Sequence, residues 1–94
     1  MPNAVFAGSF DPPTSGHLDV IENAVSIFDI LYVVVAHNPE KDGLFSIDER
    51  IDMLNAMNSF GDRMRVFSWE GLVTDFARNH QCTVLVRGLR NASE

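Results

Sequence analysis

Ile30 to Ala36 reads I-L-Y-V-V-V-A, apolar throughout and rich in β-branched side chains. A strand of that composition is covered on both faces, as in a parallel sheet. Parallel neighbours need crossover connections, and the chain on either side supplies them. Ala4 to Ala7 is a shorter apolar run stopped by Gly8, and it reads as strand one. Between the two runs, Leu18, Ile21, Val25 and Phe28 follow helical spacing within Gly16–Phe28. Thr14 or Ser15 is placed to cap that helix.

The pattern repeats downstream. His37 to Leu44 is a polar loop, and Ser46-Ile47-Asp48-Glu49 is a capping box that opens a second helix with Ile47, Ile51 and Leu54 inward. Gly61-Asp62 breaks it. Met64 to Phe67 is a third strand, and Gly71 to Asn79 a third helix with Leu72 and Phe76 inward. Thr83 to Val86 is a fourth strand. The order βαβαβαβ implies one α/β domain, a Rossmann-like doubly wound parallel sheet. The expected strand order is 3-2-1-4.

Composition narrows the class. The chain has 94 residues, 46% of them apolar and 21% charged, which suits one soluble globular domain. No apolar run is long enough to span a bilayer, and no secretory signal is visible, so no membrane partner is expected. Cys82 is alone, so no internal disulfide forms. A cytoplasmic location is expected. The formal net charge of −6 argues against bulk nucleic-acid binding.

In open parallel sheets, ligands bind beyond the carboxyl ends of the strands, where strand order reverses. Gly8–His17, His37–Lys41, Trp69–Val73 and Arg87–Arg90 all follow strands, so they are expected to converge on one rim. The first of these reads G-S-F-D-P-P-T-S-G-H. A strand-to-helix turn presents backbone N–H groups and the positive end of the helix at one point, which suits a phosphate. His17 falls in the first helical turn, with its protonation state open. Lys41, Arg87 and Arg90 complete a polyanion site. No nucleophile–base pair and no metal-ligand cluster with zinc spacing accompanies them. The chemistry this suits is direct phosphoryl-type transfer between two bound substrates. His37, His80, Cys82 and Trp69 are read as structural, and Asp48 and Glu49 as helix-start acids.

The Gly8–His17 motif is similar to the signature of nucleotidyltransferases with an H/T-x-G-H motif, here Thr14-Ser15-Gly16-His17. The segments Asn38–Lys41, Leu44–Ser46, Asp48–Arg50, Phe76–Asn79 and Val86–Arg90 narrow this. Taken together, the chain resembles the N-terminal portion of the bacterial phosphopantetheine adenylyltransferase family. The resemblance implies adenylyl transfer from ATP to 4′-phosphopantetheine, with Mg²⁺, giving dephospho-coenzyme A and pyrophosphate. It implies that Ser9 and Phe10 touch ATP phosphates and that Ser9 also reaches the acceptor phosphate. His17 would bond the α-phosphate, and Lys41 would hold the acceptor phosphate. Val73, through its backbone, and Arg87 would line the pantetheine side. Gly88, Leu89 and Arg90 would contact ATP, with Arg90, His17 and Lys41 as the catalytic set.

The chain departs from that family in three ways. Ala7 stands where many members have proline, and Asp42 where a second lysine is common. Members also continue into a fifth strand and a serine-rich motif, so this chain reads as a fragment or a truncated product. Full-length members form homohexamers. Two other functions stay open: a related nucleotidyltransferase with another acceptor, which the R-G-L-R motif and Lys41 disfavour, and a non-catalytic nucleotide- or pantetheine-binding remnant.

Overall fold

A computed structural model describes residues 2–37 and 43–86. The elements are β1 (Asn3–Gly8), α1 (Ser15–Ile27), β2 (Leu31–His37), α2 (Ile47–Ala56), β3 (Met64–Glu70), α3 (Val73–Asn79) and β4 (Cys82–Val86). A short 3₁₀ turn, Gly61–Arg63, leads into β3. The sheet is parallel throughout, in the order β3-β2-β1-β4. That is the order and class expected from the sequence.

β2 runs between β1 and β3, and Leu31 to Val35 are all buried. Alternate residues of the sheet feed two cores. Ala4, Phe6, Leu31, Val33, Val35 and Met64 meet Ile21, Ala24 and Val25 of α1 and Leu54 of α2. Val5, Tyr32 and Val34 meet Phe76 and Ala77 of α3 on the other side. The chain moves outward from β1 to β3 with helices on one face. It then returns to the far side of β1 under α3. The reversal therefore lies between β1 and β4, and the loop after β1 opens there.

Several boundaries differ from the sequence reading. β3 continues past Phe67 to Glu70, because each added residue finds a partner on β2, ending at His37↔Glu70. α3 starts at Val73, since Gly71 takes φ +113° and Leu72 is the extended N-cap. Leu72 is 68% exposed and does not pack inward. Cys82 belongs to β4 as the partner of Asn3 and is half-buried, and burial pushes its thiol upward from the usual value. Phe76, by contrast, is inward as expected, with His80 stacked on it at 3.9 Å and Trp69 edge-on at 5.4 Å. The Trp69 indole N–H also donates to the Leu72 carbonyl at 2.8 Å.

No helix among the described residues is long and apolar enough to cross a membrane. α1 is closed at its far end by Arg63, whose guanidinium donates to the carbonyls of Val25 and Phe28. A cation there complements the negative end of the helix.

Candidate functional site

The start of α1 gives one ring nitrogen of His17 a partner. Thr14 is the N-cap, and its hydroxyl accepts from the His17 backbone N–H at 3.4 Å. The reciprocal bond comes from the imidazole: the Thr14 backbone N–H donates to His17 Nδ1 at 2.9 Å. This is a capping box in which a histidine stands at the position usually held by Glu or Gln. A ring nitrogen that accepts carries no proton, so the neutral ring carries its proton on Nε2. The Thr14 hydroxyl lies 3.2 Å from the same Nδ1. The first turn of α1 contains no acidic residue, so nothing on the helix offsets its positive end.

Phe10 holds the ring from the other side. Its centroid is 4.8 Å from that of His17 and 5.3 Å from that of Phe6, both edge-on. Phe10 is 1% exposed, so its ring presents no face to solvent. Its φ is +48°, rare for a bulky residue, and the ring packing holds it there. Gly8, Gly16, His17, Phe10 and Phe6 line a cavity of about 230 Å³.

Ser9 is exposed and faces a second, larger cavity of about 770 Å³, between the 8–14 loop and the start of α2. His37 lines it too and pairs through Nδ1 with Glu70 at 3.5 Å. The two cavities flank one loop: His17 serves one, Ser9 the other. Val73 opens α3 and packs against the second core. Lys41, Arg87, Gly88, Leu89 and Arg90 lie outside the described residues. β4 ends at Val86, the partner of Phe6, so it finishes at the same end of the sheet as Gly8.

Sequence reasoning missed Asp11 and Arg50. The Asp11 carboxylate accepts from the Leu44 N–H at 2.8 Å and the Phe45 N–H at 2.9 Å, and lies 3.4 Å from Arg50 Nη2. Arg50 Nε donates to the Phe45 carbonyl at 2.9 Å, and Nη1 to the Ser9 carbonyl at 3.4 Å. The pair binds the loop after β1 to the segment before α2. A Cβ on Gly43 would overlap Arg50 Nη2 and Asp11 Oδ2, so only glycine leaves them room. The signal was present: Arg50 sits at the third step of the stripe Ile47, Arg50, Ile51, Leu54 and is 8% exposed. A charge on a buried helical stripe has a partner.

Comparison with known proteins places this site in context. Over 91 residues the chain is 47% identical to the phosphopantetheine adenylyltransferase of Geobacter metallireducens, taking in 97% of this chain and 56% of that one. The proteins of that name from Desulforudis audaxviator and Thermosynechococcus vestitus are 47% and 45% identical, over 97% of this chain and 56% and 54% of theirs. The chain spans about half the length of the curated relatives it matches. Residues 5–94 match the family described as cytidylyltransferase-like, a stretch that begins in β1 and takes in every element of the sheet, and the chain belongs to that family.

Proposed function

We propose that this chain carries the nucleotide-binding part of a phosphopantetheine adenylyltransferase, acting in coenzyme A biosynthesis. The observation that carries the reading is the start of α1. An uncharged imidazole, turned by the Thr14 N–H so that Nε2 is its donor, stands at an acid-free helix N-terminus. That combination attracts phosphate oxygens. The acceptor is taken from the name of the relatives.

In the proposed reaction, a phosphate oxygen of 4′-phosphopantetheine attacks the α-phosphorus of ATP. The new P–O bond forms as the bond from the α-phosphorus to the bridging oxygen of pyrophosphate breaks. Pyrophosphate leaves with that electron pair. The nucleophile is already an anion, so no base removes a proton. His17 Nε2–H donates to an α-phosphate oxygen as charge builds on it. Ser9 and the Phe10 backbone contact the phosphates, and Lys41 and Arg90 add positive charge. Arg87 and the Val73 backbone border the pantetheine, and Gly88 and Leu89 border the nucleotide.

Mg²⁺ is proposed as the companion of the ATP phosphates, where it would neutralise charge. No group of three or more His, Cys, Asp or Glu side chains that could hold a metal occurs among the described residues. Cytoplasmic location and self-assembly into a homo-oligomer belong to the same proposal.

The test is pyrophosphate release from ATP by the 94-residue chain, with 4′-phosphopantetheine, nicotinamide mononucleotide or glycerol phosphate as acceptor. Release with 4′-phosphopantetheine alone is expected. Dependence on another acceptor would replace the reading. A second reading stands beside it, ligand binding without turnover. Calorimetry with ATP separates the two.

A further inference from the structure

The peptide that joins Ser9 to Phe10 is held from one side. Arg50 Nη1 donates to its carbonyl oxygen. In a trans peptide the C=O and N–H point opposite ways. A carbonyl drawn toward α2 therefore turns the Phe10 N–H away from α2. Phe10 keeps a left-handed φ, which a bulky residue holds only when its surroundings over-determine it. The ring contacts fix one side of that residue, and Arg50 fixes the other.

Stability gives no reason for this arrangement. An ion pair withdrawn from water is commonly no better than apolar residues of the same volume. Here the Arg50 and Asp11 side chains are only 10% and 16% exposed, and the pair also demands a glycine at position 43. What the pair does supply is geometry. Four polar contacts join Ser9 and Asp11 to Leu44, Phe45 and Arg50 across more than thirty positions of sequence, and a fifth ties Arg50 to the Phe45 carbonyl.

We propose that Arg50, held by Asp11, is a positioning residue for the phosphates of a nucleoside triphosphate. It sets the Ser9–Phe10 peptide so that the Phe10 N–H serves as a phosphate donor. It also ties that peptide to segment 43–45, which starts two residues after Lys41 in the sequence. This rests on the adenylyltransferase reading given above.

The test is calorimetric binding of ATP to the 94-residue chain and its variants, with thermal unfolding measured in parallel. Arg50→Met keeps the length and apolar stem of the side chain. Made together with Asp11→Asn, so that no carboxylate is left without its cation, it is expected to weaken ATP binding about tenfold, while the thermal midpoint holds or rises. Arg50→Ala is expected to lose as much and to regain affinity when methylguanidine is added. A purely structural role would give neither the split between binding and stability nor the rescue. A folded Arg50→Met that binds ATP within about twofold of the parent overturns the inference and leaves the functional reading standing. A parent chain that does not bind ATP overturns the functional reading, and this inference with it. Should the variants fail to fold, the ¹⁵N-labelled parent is titrated with inorganic triphosphate. A saturable shift of the Phe10 amide supports the inference, and a stationary Phe10 amide beside other shifting amides overturns it.

Discussion

α1 and α2 begin with the same device and end up electrically opposite. Both have a hydroxyl N-cap, Thr14 in one and Ser46 in the other, and both close the box with a side chain three residues on. In α2 that side chain is Glu49, whose Oε1 accepts the Ser46 N–H at 2.9 Å, and Asp48 stands beside it. Two carboxylates offset the positive end of α2, and that helix start is inert toward anions. In α1 the closing group is the imidazole of His17, and the first turn carries no acid. The cap is satisfied without negative charge, so no carboxylate of the first turn offsets the positive end. A capping box thus secures a helix at either start, but only the carboxylate version offsets the helix's positive end.

The sharpest way to break this contrast is to make α1 like α2. His17→Glu keeps the T-x-x-E box, so the thermal midpoint is expected to move by no more than a few degrees. ATP affinity is expected to fall on the order of 10²-fold or more, since like charges about 4 Å apart near a protein surface repel by about 4 kcal/mol. His17→Gln restores an acceptor for the Thr14 N–H and an N–H donor at the far end. It should retain most of the binding. His17→Ala loses the donor, and turnover is expected to fall by about 10²–10³. Calorimetry and pyrophosphate release order the three variants. Equal binding by Glu and Gln at position 17 would end the electrostatic account.

A second perturbation acts on the brace between the two helix starts. Gly43→Ala forces a methyl group onto Arg50 Nη2 and Asp11 Oδ2. Overpacking of that kind costs about 1–3 kcal/mol, read as a lower midpoint in urea. The same change in the Arg50→Met background should cost less, because one of the two groups it collides with is gone. Equal costs in both backgrounds would mean that the brace does not confine position 43.

Much of this molecule was legible in the sequence because its strongest signals are local. The β-branched run at Ile30–Ala36 fixed a central strand, and Ser46–Glu49 fixed the start of α2 almost to the residue. Alternation of strands and helices then left few topologies. The cap of α1 was half legible. Thr14 was one of two candidates, but the usual rule looks for Glu or Gln three residues later, and a histidine there does not trigger it. Leu72 was misplaced because helical spacing was extended back through Gly71, whose φ of +113° ends the helix register before Leu72. Arg50 was passed over because a charged residue on an inward stripe was left out of the stripe. Its partner lies 39 positions upstream, at Asp11, and no local pattern connects them. Of the expected site residues, Ser9, Phe10, His17 and Val73 fall within the described residues, while Lys41, Arg87, Gly88, Leu89 and Arg90 do not.

Removing the hydroxyl caps separates the two helix starts by smaller amounts. Ser46→Ala and Thr14→Ala each remove one reciprocal bond, and each is expected to cost about 1 kcal/mol in urea unfolding. Only the Thr14 change should also weaken ATP binding, and modestly, because its hydroxyl lies 3.2 Å from Nδ1 of the His17 ring while the backbone N–H that holds the ring remains. A loss of binding in Ser46→Ala equal to that in Thr14→Ala would dissolve the distinction.

The smallest expected effect is a difference in acid response. The Ser46 backbone N–H, and after it the Ser46 hydroxyl, hold the Glu49 carboxyl below its ordinary value of 4.5. A carboxyl whose folded value is depressed contributes stability that is present above the unfolded value and disappears as pH falls through the folded one. Protonated Glu49 no longer accepts as a charged group, so the α2 box weakens only below about pH 4.5. Glu49→Gln keeps the acceptor and removes the charge. Thermal midpoints followed from pH 6 down to pH 3 should therefore converge for the parent and Glu49→Gln at the acid end, with the parent higher at pH 6. If the two curves stay parallel throughout, the carboxylate adds nothing at the start of α2, and the absence of acid at the start of α1 loses its meaning as a contrast.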